Sequence, residues 1–276
     1  MKRCVDYFGK DAAGLLRKKL FLFDMDGTIY EEDRLFDGTL DLLRQVKEMG
    51  GRYVFLTNNS SKSVNDYLKK VRKMGVPADW DNFCTSTQAT ALLLKRKYPE
   101  KLVYCQGTRS MLQELREAGI AVTEEVTAEA EVILIGYDTE LTSQKLRNTC
   151  EMLGRDIPFY ATNPDLVCPV CFGFVPDCGS VCIMLENATG RKPVYIGKPE
   201  PAMVDMMREK YNVKKEETVL IGDRLYTDIA AGVNAGVDSI CVLTGEATLK
   251  DIRNSEVQPA YIFESVKELY CRLLNE

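Results

Sequence analysis

Short runs of large apolar residues alternate along most of the chain with stretches whose apolar positions recur at helical spacing. LFLFD (20–24) precedes a helix expected near 38–49, with Leu40, Leu43 and Val46 on one face and Gly50-Gly51 as its stop. RYVFLT (52–57) precedes a helix near 63–74, with Val64, Tyr67, Leu68 and Val71 on one face and Gly75 ending it. PVYIG (193–197), TVLIG (218–222), SICVL (239–243) and AYIF (260–263) each precede a further helical pattern. Near-continuous Val/Ile/Leu runs between helices predict an α/β fold with a doubly wound, Rossmann-like parallel sheet covered on both faces. Ligands of such sheets bind beyond the carboxyl ends of the strands.

The middle of the chain repeats the theme on a smaller scale. Strands are expected at KLVYC (101–105), EVILIGY (131–137) and PFYAT (158–162), with helices near 109–118 and 142–153. No repeat, low-complexity tract or Pro/Gly linker separates this block from the rest, so it reads as an inserted, smaller α/β module. The expected division is a core of 1–85 and 187–276 interrupted by an inserted domain at 86–186.

Bulk properties narrow the chemistry. With 276 residues and a net charge of −5, nothing suggests a nucleic-acid-binding surface. No apolar run approaches the roughly 20 residues that span a bilayer, and the N-terminus lacks the apolar stretch of a secretory signal. No nucleic-acid or membrane partner is therefore expected. Ten cysteines without such a signal read as reduced thiols of a cytoplasmic protein. The chain has no histidine, which removes Ser-His and Cys-His catalysis and His-ligated metals together. No cysteine has an arginine six positions later, and no G-x-x-x-x-G-K-[ST] occurs, so cysteine-phosphatase and P-loop chemistry are excluded.

Four short motifs fall at predicted strand ends. In DMDGT, Asp24 and Asp26 point to one side of an extended chain and Gly27 permits a tight turn. Like charges about 4 Å apart repel by roughly 4 kcal/mol at an effective dielectric near 20, so something must offset them. An EF-hand loop is a poor fit, because Gly27 stands fourth and Leu35 twelfth; a simple acidic turn is the plain alternative. In LTNNSS (56–61), Thr57, Asn58 and Asn59 offer a hydroxyl, amides and backbone N–H groups, and a helix cap is the competing explanation. In YIGKPEP (195–201), Lys198 is pinned between Gly197 and Pro199, although a lone lysine is usually a solvated charge. In VLIGDRLYTDI (219–229), capping explains one of Asp223 and Asp228 but not both. Together these groups form an inventory for Mg2+-assisted phosphoryl transfer: oxygen ligands for a hard cation, donors for phosphate oxygens, and a carboxylate able to carry a phosphoryl group. The metal offsets the repulsion.

DMDGT, LTNN, GKP and GDRLYTDI, in this order, resemble the four motifs of the haloacid dehalogenase superfamily. The similarity is greatest to its nitrophenylphosphatase-like, NagD-like branch, which also carries TNPD and Pro-x-x-Gly-Ser segments, matched here by ATNPD (161–165) and PDCGS (176–180). The Asp-Cys within PDCGS departs from the Gly-x-Gly common in relatives. The resemblance implies that Asp24 is the nucleophile and Asp26 the acid, then the base. It implies Mg2+ on Asp24, the Asp26 backbone carbonyl and Asp223, with Asp228 in support. Thr57, Asn58, Asn59 and Lys198 would hold the phosphoryl group of a small phosphorylated metabolite. Only 33 positions separate Asp24 from Thr57, against 141 from Thr57 to Lys198, so the cap must lie in the later gap. Sugar-phosphate mutases of the superfamily carry theirs in the earlier one.

Core motifs that recognise only phosphate and metal cannot choose between phosphomonoesters, so the inserted block is expected to do so. Within it ATNPDLVCPV (161–170) is read as irregular, broken by Pro164 and Pro169. Asn163 and Asp165 offer hydrogen bonds to a leaving group, with Cys168 beside them as a further specificity position and an ordinary Asx turn as the alternative. Cys168, Cys171, Cys178 and Cys182 suit a zinc or redox site less well than plain thiols. Two rivals to a phosphatase stay open: a non-catalytic phosphometabolite sensor, which would have lost a core acid, and a dehalogenase, which needs no metal. A homodimer is the assembly left open.

Overall fold

The computed structural model describes residues 4–170 and 172–274. The chain opens with β1 (Leu20–Phe23), a short antiparallel pair β2 (Tyr30–Glu31) and β3 (Arg34–Leu35), helix α1 (Thr39–Glu48) and β4 (Arg52–Thr57). Helix α2 (Val64–Lys73), β5 (Phe83–Thr85) and α3 (Ser86–Lys97) follow. Next come β6 (Val103–Gln106), α4 (Arg109–Glu117), β7 (Val122–Thr123), β8 (Val132–Ile135), α5 (Ser143–Leu153) and β9 (Phe159–Ala161). A hairpin of β10 (Val167–Val170) and β11 (Gly173–Pro176) leads into α6 (Cys178–Thr189) and β12 (Val194–Tyr195). The chain closes with α7 (Ala202–Tyr211), β13 (Thr218–Gly222), α8 (Ala230–Ala235), β14 (Asp238–Val242), α9 (Leu249–Asn254), β15 (Tyr261–Phe263) and α10 (Val266–Leu273).

Two compact units result. The first takes Met1–Leu56, Leu68–Cys84 and Lys198–Glu276; the second takes Thr57–Tyr67 and Thr85–Gly197. In the first, six strands run in the order β15-β14-β13-β1-β4-β5, and β1 pairs in parallel with both β13 and β4. Every residue of β1 and β13 is buried, which is why both read as unbroken apolar runs. Strand order reverses at β1: the chain steps outward to β4 and β5, then returns on the other side at β13. Such a reversal leaves a crevice beyond the carboxyl ends of the two central strands. Helix α1 packs against α10 and buries Thr39, Leu42, Leu43 and Val46. Leu40, expected on that buried face, is exposed, because the stripe follows Thr39, Leu42, Leu43 and Val46 at i, i+3, i+4, i+7.

The second unit has its own parallel sheet, ordered β12-β9-β8-β6-β7. Ile133, Ile135 and Phe159 pack with Met152 and Leu153 of α5 and Val181 and Leu185 of α6. Two expectations change here. The strand at 194–195, read as part of the core sheet, pairs with β9, and Ile196 N donates to Ala161 O at 3.1 Å. A two-residue strand carries too little pattern to specify its neighbour. Pro169, read as a breaker, lies within β10 opposite Phe174. Both strands of a two-stranded ribbon are edges, so a missing N–H is tolerated there. Among the described residues, no helix is long and apolar enough to cross a membrane.

Candidate active site

Asp24 directly follows β1, and its backbone N–H donates to Ile221 O of β13 at 2.8 Å. Asp223 directly follows β13. Carboxylate oxygens of Asp24, Asp223 and Asp228 all lie within 4.8 Å of one another. Lys198, 2% exposed, reaches into this group. Its Nζ donates to Asp24 Oδ1 at 2.5 Å, Asp228 Oδ1 at 2.6 Å and Leu56 O at 3.2 Å. Burial, then the Asp228 charge, drives the Asp24 carboxyl well above its ordinary value, against the pull of Lys198. Burial likewise pushes Asp223 up to about 6, with Asp228 adding to it. Burial lowers the Lys198 ammonium's proton affinity, but Asp228 and Asp24 more than reverse this, so it stays charged.

Backbone geometry aims the acids. Gly27 sits at φ +84°, and a Cβ there would stand 2.7 Å from Asp223 Oδ2, so only glycine lets the DMDGT turn approach Asp223. Asp223 Oδ1 accepts from Thr28 Oγ1 at 3.1 Å and Oδ2 from Glu246 N at 2.8 Å. Asp228 lies in a single π-helical turn, Leu225–Ile229, ahead of α8, rather than in a regular first turn. Arg224 O accepts from both Asp228 N and Ile229 N, at 3.0 and 3.1 Å. Such turns recur at functional sites because the extra residue re-aims a side chain. Three carboxylates facing one another with one ammonium among them carry surplus negative charge on hard oxygen donors. The set fits a hard divalent cation.

Asp26 stands apart from this cluster. Its Oδ2 accepts from Tyr30 Oη at 3.1 Å, and Oδ1 lies 3.8 Å from Lys70 Nζ, which also sits over the Tyr30 ring. Its carboxylate is therefore outside the acid cluster, whatever its backbone carbonyl contributes. Sequence reading missed Arg224, Thr28, Tyr30, Lys70 and the Thr244–Ala247 turn. Arg224 carried a signal, a cation between two site acids in GDRLYTD, and it ion-pairs with Glu246 at 3.1 Å.

In the second unit, Thr57 ends β4 and Asn58 follows, both buried. Asn59 Oδ1 accepts from Ser61 N and Oγ at 2.9 and 2.7 Å, forming a compact turn. These residues do not cap α2. That task falls to Ser63, whose Oγ accepts from Asp66 N at 3.3 Å while Asp66 Oδ2 accepts from Ser63 N. Asn163 and Asp165, expected to meet a leaving group, are buried, and Asp165 Oδ2 accepts from both Asn163 and Asn58. Cys168 is half-buried in the hairpin, while Cys178 and Cys182 lie on α6 in the core. Cys171 lies outside the described residues. Among the described residues, the Asp24, Asp223 and Asp228 group alone has metal-ligand geometry.

Comparison with known proteins agrees with this geometry. The haloacid dehalogenase-like hydrolase profile matches residues 21–121, and a second HAD-hydrolase-like profile matches 195–269. The acid sugar phosphatase of Staphylococcus aureus is 32% identical over 92% of this chain and 98% of its own. The structure of a 4-nitrophenylphosphatase from Thermotoga maritima superposes with a TM-score of 0.89 at 39% identity, covering 94% of this chain and 98% of that one. A glycerol phosphate phosphatase from Mycobacterium tuberculosis, solved with magnesium, gives 0.87 at 27% identity over 93% of this chain and 77% of that one. The chain belongs to the haloacid dehalogenase-like hydrolases. Within them it is a phosphatase of the NagD-like branch.

Proposed function

We propose that this phosphatase is Mg2+-dependent and hydrolyses small phosphomonoesters through an aspartyl phosphate on Asp24. The observation that carries the reading is the buried acid cluster with Lys198 at its centre, at the strand-order reversal. Asp24, the Asp26 backbone carbonyl and Asp223 would hold the ion, with Asp228 in support. When bound, Mg2+ supplies positive charge for the phosphoryl oxygens. An Asp24 carboxylate oxygen bonds to phosphorus as the ester oxygen leaves, and Asp26 gives that oxygen its proton. Asp26 then takes a proton from water, whose oxygen bonds to phosphorus and frees the Asp24 carboxylate with phosphate. Thr57, Asn58, Asn59 and Lys198 hold the phosphoryl oxygens. Relatives named for sugar phosphate, nitrophenyl phosphate and glycerol phosphate point to a similarly small substrate; nucleoside monophosphates and phosphoglycolate belong in the same panel. The reduced cysteines fit a cytoplasmic enzyme.

Phosphate release from such a panel, with Mg2+ and with EDTA, tests the proposal. Turnover restored by Mg2+ after chelation is expected. Turnover unaffected by EDTA contradicts it, as does halide release in place of phosphate. Asp26→Asn separates the acid's role further. Loss of about 10^2 to 10^4 is expected for alkyl phosphates, with a much smaller loss for nitrophenyl phosphate, whose phenolate leaves without a proton. Equal losses for both would remove Asp26 from leaving-group protonation.

A further inference from the structure

Asn163 is 0% and Asp165 4% exposed, and both spend side-chain atoms on hydrogen bonds within this unit. These bonds lead to the loop after β4. Asp165 Oδ2 accepts from Asn58 Nδ2 and Asn163 Nδ2, each at 2.8 Å. Asn163 Nδ2 also donates to Asp177 Oδ1 at 3.0 Å, and Asp177 caps α6 through Cys178 N. The Asn58 backbone is held as well, since its carbonyl accepts from Ser86 Oγ at 2.6 Å. A Cβ on Gly197 would come within 2.5 Å of Asn58 Oδ1, so the amide has a close wall on its other side.

A carboxylate accepts hydrogen bonds and cannot donate them. Asp165 therefore fixes which way the Asn58 amide faces, with its NH2 toward the carboxylate. Hydrogen bonds to an ionised acceptor are roughly twice as strong as neutral ones, so this orientation is firmly held. Asn163 keeps Asp165 in place by donating to the same oxygen while anchoring to the capped start of α6.

We propose that Asp165 is a positioning residue for phosphate binding, acting through Asn58 and held by Asn163, and is not a selector of the leaving group. The inference rests on the reading that Asn58 holds the phosphoryl group. Its test uses inorganic phosphate as the probe, bound to the Mg2+-loaded protein and followed by calorimetry, so that it does not depend on turnover. Asp165→Ala should weaken phosphate about tenfold, the scale of a lost charged hydrogen bond. It should lower kcat/KM for alkyl and aryl phosphates by a common factor. Asp165→Asn keeps the volume but loses the charge and can turn a donor toward Asn58, so it should weaken phosphate severalfold, less than alanine does, and it stands in should the alanine variant not fold. In an Asn58→Ala background, Asp165→Ala should cost little more, because its route is already cut. Unchanged phosphate affinity in every folded Asp165 variant overturns the inference. So does a changed ranking of substrates with phosphate affinity intact, or a full loss persisting without the Asn58 amide. A wild-type protein that binds phosphate through this coupling yet turns nothing over leaves the inference standing and removes the phosphatase mechanism instead.

Discussion

Asp24→Asn should abolish phosphate release while leaving the protein folded. An amide is a poor nucleophile, and the neighbouring carboxylates of Asp223 and Asp228 are assigned to the metal rather than to phosphorus. A fall of at least about a thousandfold is expected, roughly 4 kcal/mol in the barrier. Stability should move the other way. Asp24 is held above its ordinary proton affinity chiefly by burial and by Asp228, so its charge is unfavourable in the metal-free fold. A neutral amide of the same shape removes that repulsion, and the thermal midpoint without metal should hold or rise. Phosphate release and thermal unfolding on one preparation check both halves. Activity near wild type would dismiss Asp24 as nucleophile, and an unfolded variant would contradict the electrostatic account of the cluster.

Lys198→Met should lose both activity and stability. The ammonium bonds Asp24 and Asp228, and removing it leaves buried acids without the cation between them. Removing one partner of a buried ionic group costs about 3–5 kcal/mol, since the other charges stay buried. Added divalent cation should recover part of the lost stability, because it supplies positive charge to the same carboxylates. It should not recover turnover, for the group that meets phosphoryl oxygens is gone. Thermal midpoints with and without Mg2+, alongside kcat, read these two effects apart. A midpoint unchanged from wild type in EDTA would show that Lys198 does not balance the cluster.

The clustering of the core acids was legible because Asp24 and Asp223 follow buried strands whose apolar runs announce where each strand ends. Asp24 and Asp223 stand one residue past β1 and β13, where the parallel sheet leaves room for a ligand. What sequence could not give was direction. Asn163 and Asp165 have the donors and acceptors of a binding loop, yet Asp165 accepts from Asn58 while Asn163 donates to Asp165 and Asp177. Helix α3 went unread because Ser86, Thr87, Ala89 and Thr90 are buried, and small or hydroxylic residues leave no apolar stripe. Thr90 manages burial by donating to Ser86 O at 2.7 Å, a bond visible only once the helix exists. Asp228 was placed correctly after β13, but the π-helical turn that aims it at Lys198 has no pattern of its own.

Covalent catalysis by Asp24 is tested most directly by quenching the wild-type enzyme in acid during turnover of a phosphomonoester with Mg2+. Mass spectrometry of the peptide containing Phe21 to Tyr30 then locates the phosphoryl group. We predict that it sits on Asp24, and that it is absent when Asp24→Asn is treated in the same way. Steady phosphate release with no phosphoryl group on that peptide, or with the group on another residue, would contradict the mechanism.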